Sequence, residues 1–386
     1  MPPNHSTLGQ RLRIAVISTV WFPYSHTDVI VSRWIQPYST DASEGWNSPK
    51  SYIASIFIEQ KPDNDIGQQI CRENGISVCG SVKEALTLGG SSLSVDAVLL
   101  IAEHGEYPIN DLGQKLYPRK RLFDEIVSVF RESGRGVPVF NDKHFSWDFT
   151  EAAEMIATAD ELGFHLYGGS SLPHCNFVPA LPPGPIDSPT SALSLFHGDP
   201  DHYGFHSIEL AQSVVEKRPR GEVGISAVRG WKGAAVLDAI RTHEICPDLM
   251  VQALMAHGYP GDNETIAFLL QRTRNPIAFQ ILHVDGLIVT HLLLPTVVTE
   301  WVLAFRSPDA PISKMKLSLH GATHFFDNFA KLNAQIEHFF QTGSPPNSPL
   351  RTLLSTGALQ SLLQACEGNG TWQETPHLHI SYPSET

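Results

Sequence analysis

The sequence has no apolar stretch approaching the roughly 20 residues that cross a bilayer, and its first ten residues, MPPNHSTLGQ, lack the basic-then-apolar order of a secretion signal. Both absences predict a cytoplasmic protein without a membrane partner. Positive charge is scarce. With 27 Lys and Arg against 40 Asp and Glu, the formal net charge is −13; no basic run forms a phosphate-binding stripe, so nucleic acid is a poor partner. Five cysteines, Cys71, Cys79, Cys175, Cys246 and Cys366, are odd in number and contain no C-x-x-C pair. That argues against a disulfide framework or a thiolate zinc centre and for a reducing compartment. The sequence also lacks a G-x-S-x-G elbow, a P-loop and an H-E-x-x-H motif, which removes the usual support for a serine hydrolase, a nucleotide phosphotransferase or a zincin.

What is present is a globular composition, 42% hydrophobic and 17% charged over 386 residues, long enough for two cores. The expected division is a Rossmann-like domain over residues 1–168 and a substrate and oligomerisation domain over 169–386, whose C-terminal segment packs back on the first. Buried strands are expected at 13–19, 52–58, 97–102 and 137–140, separated by helices at 66–74, 82–88, 120–133 and 150–162. Each helix is followed by glycine, the usual C-terminal stop. Alternating strands and helices imply a parallel sheet.

The proline-rich segment 179–189 reads as a loop or interdomain connection. Beyond it, apolar runs at 222–228, 277–284, 287–294, 298–305 and 314–320 crowd together, with Asp285-Gly286 as a hairpin turn. The fold class expected is therefore α/β: an N-terminal Rossmann-like parallel sheet followed by an α+β domain with an open, mostly antiparallel sheet. Helices at 325–341 and 350–366 close the chain.

Several segments resemble the Gfo/Idh/MocA oxidoreductase family. SIFIEQKPDNDIGQQICRENGISVCGSVKEAL is similar to its second strand, helix and third strand, and VDAVLLIAEHGEYP to the strand and loop beside the cofactor. VFNDKHFSWDFTEAAEMIATADELGFHLYGG resembles the EKP segment, with Lys143 at the motif lysine and His144 in place of its proline. HYGFHSIEL is similar to the segment carrying a catalytic histidine, which the resemblance implies is His206, with His202 where an aspartate is common. The resemblance covers almost the whole chain and implies a small-molecule substrate, an NAD(P) cofactor and a homodimer formed through the C-terminal sheet. The sequence departs from the family in its first turn: RIAVISTVWFPYSHTDVIV contains no glycine, where a G-x-G-x-x-G loop lets backbone N–H groups approach a pyrophosphate.

Residues following the strands converge on one crevice in such a sheet. Here they are His26 and Asp28; Glu103, His104 and Glu106; Asn141, Asp142, Lys143 and His144; then Ser170 and Ser171; and His202, His206 and Glu209 near the domain junction. One reading is a divalent metal site for Zn, Mn or Fe, with His26, His104, His202 and His206 as ligands. Lys143 would then stabilise an oxyanion and Glu106 or His144 would move protons, giving a lyase, hydrolase or isomerase acting on a sugar derivative or hydroxy/keto acid. A second reading is an NAD(P)-dependent oxidoreductase in which Glu59 holds a ribose, His104 lies beside the cofactor, Lys143 holds the substrate oxygen and His206 is the acid/base. Ser170 and Ser171 are candidates for a substrate carboxylate. A third is a non-catalytic sensor, whose signature would be a crevice filled by residues 21–24 with Lys143 and His206 far apart. Plainer roles compete: Lys143 as a surface partner of Asp142, His206 as a helix residue satisfied by Glu209, and Trp21, Phe22 and Tyr24 as loop core.

Overall fold

The run LRIAVIS forms β1 (Leu12–Ser18), and its last five residues are buried, as expected of a strand with helices on both faces. Strand and helix then alternate: α1 (His26–Ile35), β2 (Ser51–Ile58), α2 (Gly67–Asn74), β3 (Ser77–Cys79), α3 (Val82–Thr87), β4 (Ala97–Ile101), α4 (Arg119–Ser133), β5 (Val139–Asp142), α5 (Phe149–Leu162) and β6 (Leu166–Gly169). This is a computed structural model, and it describes residues 11–39, 48–181, 184–319 and 325–383. The N-terminal decapeptide, two residues of the proline-rich segment and His320 of an expected strand lie outside the described residues. The six strands form one sheet in the order β3-β2-β1-β4-β5-β6, every pairing parallel. The chain reverses its direction of travel across the sheet between β1 and β4, which opens a crevice at their carboxyl ends. Gly134 and Gly163 end α4 and α5 at φ of 65° and 67°, as their sequence positions predict.

The second half builds β7 (Asn176–Val178), β8 (Ser191–Phe196), α6 (His202–Val215), β9 (Ile225–Lys232), α7 (Ala234–Arg241), α8 (Pro247–His257), α9 (Asn263–Arg272), β10 (Ile277–His283), β11 (Ile288–Leu293), β12 (Val302–Arg306), β13 (Ser313–Ser318), α10 (Asn328–Thr342), α11 (Pro349–Ala365) and β14 (Gln373–Glu374). Its eight strands run β14-β9-β10-β11-β8-β12-β13-β7. All pairings are antiparallel except β8 with β11, and Asp285-Gly286 turns the β10–β11 hairpin. Two expected strands are shorter than their apolar runs: Glu222 lies ahead of β9, and Val298 packs in the core ahead of β12.

The helices α7, α8 and α9 alter one expectation. Their apolar residues Val236, Ile240, Leu249, Met250, Leu254 and Leu269 pack against Leu193 and Leu195 of β8 and Leu292 of β11. Phe205, Leu210, Leu359 and Leu362 of α6 and α11 cover the opposite face through Ala192, Phe196 and Phe279. The sheet face through which a homodimer was expected is therefore covered by the chain's own helices.

The closing helices tie the halves together. Phe329, Leu332, Ile336 and Phe339 of α10 pack into the core of the first sheet. Within α11, Leu353 joins the α4–α5 side of that sheet while Leu354 and Leu359 join the second core. Gly357 marks the tightest approach: a Cβ there would stand 2.4 Å from Leu378 Cδ2 and 2.6 Å from Phe149 Cδ2. Gly357→Ala is therefore expected to destabilise the protein by about 1–3 kcal/mol through overpacking, measured as a lower midpoint in urea at unchanged m-value.

Candidate active site

A cavity of about 630 Å³ opens at the crevice between β1 and β4, where the two halves meet. That size is ordinary for a small-molecule site. His26 reaches it from the start of α1, Glu103 and His104 from the end of β4, Lys143 from the end of β5, and His202 and His206 from α6. Tyr24, His104 and Lys143, all lining the cavity, have φ of 65°, 68° and 64°. Left-handed backbone at a non-glycine residue costs of order 1–3 kcal/mol and persists where its surroundings over-determine it, often at functional sites.

Lys143 is fixed at both ends. Its backbone exchanges hydrogen bonds with Gly169, N to O at 3.1 Å and O from N at 3.0 Å. Its Nζ donates to Glu103 Oε1 at 2.9 Å, and Arg119 donates to the other oxygen of the same carboxylate. Burial alone would push Glu103 up; the two cations outweigh it and hold the carboxyl well below its usual range. Lys143 thus belongs to Glu103, not to the adjacent Asp142 of the sequence reading.

Asp142 instead backs His26, whose Nδ1 lies 2.5 Å from Asp142 Oδ2. His202 Nδ1 meets Asp199 Oδ1 at 2.9 Å, and the interaction draws Asp199 below the usual carboxylate range against its burial. His206 Nδ1 lies 2.5 Å from Ser170 Oγ. Ser170 Oγ also accepts from Leu172 N at 3.1 Å, so the serine holds the ring through Nδ1 and leaves Nε2 for the cavity. Burial, reinforced by Lys143, holds His206 well below its ordinary value and therefore neutral. His104 is lowered to about 3 by burial and by His26.

The other expected residues fall differently. Glu106 is exposed, anchored by Gln60 through its backbone N–H, and does not line the cavity. Its expected proton-moving role has no geometry to act in. His144 is buried behind the site, Nε2 facing Arg119 at 3.2 Å and its ring 5.0 Å from Phe205, so it supports Arg119 and does not reach the cavity. Glu59 accepts from Tyr107 Oη at 2.5 Å and from Arg121, which occupies the carboxylate expected to hold a ribose. Ser171 lines the cavity and accepts from Asn328 Nδ2 at 2.8 Å; Ser170 acts through His206. The sequence reading missed Arg119, Asp199, Tyr203 and Trp301. Asp199 could have been found from its spacing, three residues before His202 at the start of a helix. Arg119 sits among other charges of α4, and nothing in its neighbourhood marks it.

The four expected metal ligands line the cavity, and three of them hold Nδ1 on a protein oxygen, which leaves Nε2 as their remaining ring nitrogen. Among the described residues no three His, Cys, Asp or Glu side chains form a group able to hold a metal ion. The metal-centred reading is left without support by that absence.

Neither a family model nor a curated protein sequence matches the chain. Solved structures do. GenD2 from gentamicin A biosynthesis, in complex with NAD, is 12% identical, with 97% of this chain and 99% of that chain covered at a TM-score of 0.59. Myo-inositol 2-dehydrogenase from Lactobacillus plantarum is 10% identical, 94% and 99% covered, at 0.58. An oxidoreductase from Agrobacterium radiobacter in complex with NAD+, L-tartaric acid and magnesium is 12% identical, 94% and 98% covered, at 0.57. The chain shares the two-domain, Gfo/Idh/MocA-type fold of these structures over nearly its whole length.

The residues at the dinucleotide groove do not fit the cofactor of that fold. Trp21 is fully buried, packed so closely on Gly67 that a Cβ there would lie 2.9 Å from Trp21 Cβ and 2.8 Å from Ile58 Cδ1. The N-terminus of α1, the usual pyrophosphate seat, is taken by the chain itself. Asp28 accepts from Trp21 Nε1 at 3.2 Å and Tyr24 N at 2.9 Å. Ser25 Oγ accepts from Phe22 N at 3.2 Å and Asp28 N at 3.3 Å. An incoming phosphate would meet a carboxylate and N–H groups already in use.

The buried neutral histidines give a pH dependence. His104, His174 and His291 are each lowered to about 3 by burial, whereas an unfolded histidine titrates near 6.5. Between those values the unfolded chain binds more protons, so stability is full above about pH 6.5 and is lost as pH falls. Melting temperature is expected to drop from pH 7 to pH 5, with His291→Gln flattening the drop in differential scanning calorimetry.

Proposed function

We propose that this chain is an enzyme that binds a small oxygen-rich molecule, a sugar derivative or a hydroxy/keto acid, in the interdomain cavity and moves a proton on it. The observation that carries this is the meeting of Lys143, held by buried Glu103, with the neutral imidazole of His206 at one cavity. The ammonium of Lys143 stabilises negative charge developing on a substrate oxygen. His206 presents Nε2 to that oxygen for proton transfer, and Ser170 holds the ring through Nδ1. Tyr203 and Trp301 stack at 5.9 Å with planes 2° apart and line the same cavity, a flat apolar wall suited to the C–H face of a sugar ring. Lys143 and His206 at one cavity support an enzyme over a sensor with its polar groups scattered.

The metal-assisted lyase, hydrolase or isomerase reading has no ligand group to rest on among the described residues. An NAD(P)-dependent oxidoreductase is the second reading, favoured by the fold shared with GenD2 in complex with NAD; the groove occupied by Trp21 and Asp28 argues against its cofactor taking the usual route. Lys143→Met and His206→Asn are each expected to lower kcat by about 10²–10⁴-fold with ligand-induced thermal shift retained for polyols and sugar acids. Unchanged turnover in either variant would sink the assignment. Fluorescence titration with NADH and NADPH separates the readings: saturable quenching would establish the oxidoreductase, and none is expected.

A further inference from the structure

Two of the cavity's histidines are backed by carboxylates, and they come from different halves of the fold. His26 opens α1, with Nδ1 on Asp142 at the end of β5 at 2.5 Å. His202 opens α6, with Nδ1 on Asp199 at 2.9 Å. A carboxylate on Nδ1–H fixes the tautomer and leaves the lone pair on Nε2, facing a would-be substrate. Both rings are held by aromatic edges: His26 between His104 at 5.2 Å and Phe329 at 5.0 Å, His202 against Tyr117 at 5.5 Å. His202 Nε2 is buried without a partner among the described residues and lies 3.9 Å from Glu103 Oε1, the oxygen that anchors Lys143. A hydroxyl-oxidising enzyme needs one group for the hydroxyl proton, a task His206 fills with the Lys143 ammonium beside the oxygen. Two further carboxylate-backed imidazoles have no task in that chemistry, and the dinucleotide groove is filled.

We propose that the cavity is a two-base site that exchanges a proton on the carbon next to a substrate carbonyl, without net redox change, and so epimerises a small hydroxy-ketone. One imidazole, neutral, takes the α-proton on Nε2; the C–H electron pair forms the C=C bond of an enolate, and the carbonyl π pair moves to oxygen, where Lys143 balances the charge. The other imidazole, entering as imidazolium, returns a proton to the same carbon from the other wall. Bonds and charge balance with no oxidant, and the two histidines exchange protonation states each turnover. This rests on the reading that the cavity binds a small oxygen-rich molecule.

The test uses the full chain in D₂O without nicotinamide, with 2-keto-myo-inositol and 5-keto-D-gluconate as probes and myo-inositol as a binding control. Thermal shift reads binding, and proton NMR reads α-deuteration and epimer formation. At least one ketone should bind and exchange at least about 100-fold faster than the buffer blank. His26→Gln and His202→Gln should each lower epimer conversion about 100-fold while deuteration without inversion persists from the remaining histidine; a structural role would lower both together. Asp142→Asn and Asp199→Asn should reproduce the split more mildly, which guards against misfolding of the histidine variants. A ketone that binds without exchange, or exchange that requires added NAD⁺, overturns the two-base proposal and leaves the binding reading standing. No shift with any of the three compounds overturns both.

Discussion

The buried carboxylate of Glu103 is the constraint on which the site depends. It is 2% exposed and carries a full charge, which costs several kcal/mol to desolvate unless cations and hydrogen bonds repay it. Arg119 and Lys143 repay it from α4 and from the end of β5. The demand that Lys143 meet Glu103 is consistent with its left-handed backbone, locked by the paired hydrogen bonds to Gly169. From that anchor the remaining geometry follows: an ammonium at the cavity floor, His202 within 3.9 Å of the same carboxylate, and Asp142, freed from Lys143, left to orient His26.

The fold and the groove tell different stories. The architecture is the two-domain fold shared with GenD2 and myo-inositol 2-dehydrogenase, with a crevice at the switch point of the first sheet. Inside it, the first turn carries buried Trp21 packed on Gly67 in place of a glycine loop, and the helix end that attracts phosphate is met by Asp28. Glu59 is tied to Arg121 and Tyr107. A scaffold can keep its layers while its site is rebuilt, because the layers rest on buried apolar runs and the site on a handful of polar contacts.

Much of the fold was legible in the sequence because its signals are strong: continuous β-branched runs for buried parallel strands, glycine stops at Gly134 and Gly163, and the Asp285-Gly286 turn. The helices α7–α9 were not, since Leu249, Met250 and Leu254 form an apolar run whose period alone does not announce a cover for a sheet. For the site, the strand-end rule located His26, Glu103, His104 and Lys143. It did not reveal which acid serves which base. The pairing of Lys143 with Glu103 and of His26 with Asp142 joins residues 40 and 116 positions apart, and Glu106, three residues beyond Glu103, turns outward with the loop. Local sequence carries periodicity; partner choice across a crevice is decided by tertiary packing.

The account stands most directly on a crystal structure of the protein soaked with 2-keto-myo-inositol in the presence of NADH. It predicts the ketone in the interdomain cavity, a substrate oxygen about 2.7–3.2 Å from Lys143 Nζ and from His206 Nε2, Trp21 in place and no dinucleotide density. A nicotinamide lying along β1 with Trp21 displaced, or a ligand remote from Lys143, would contradict it.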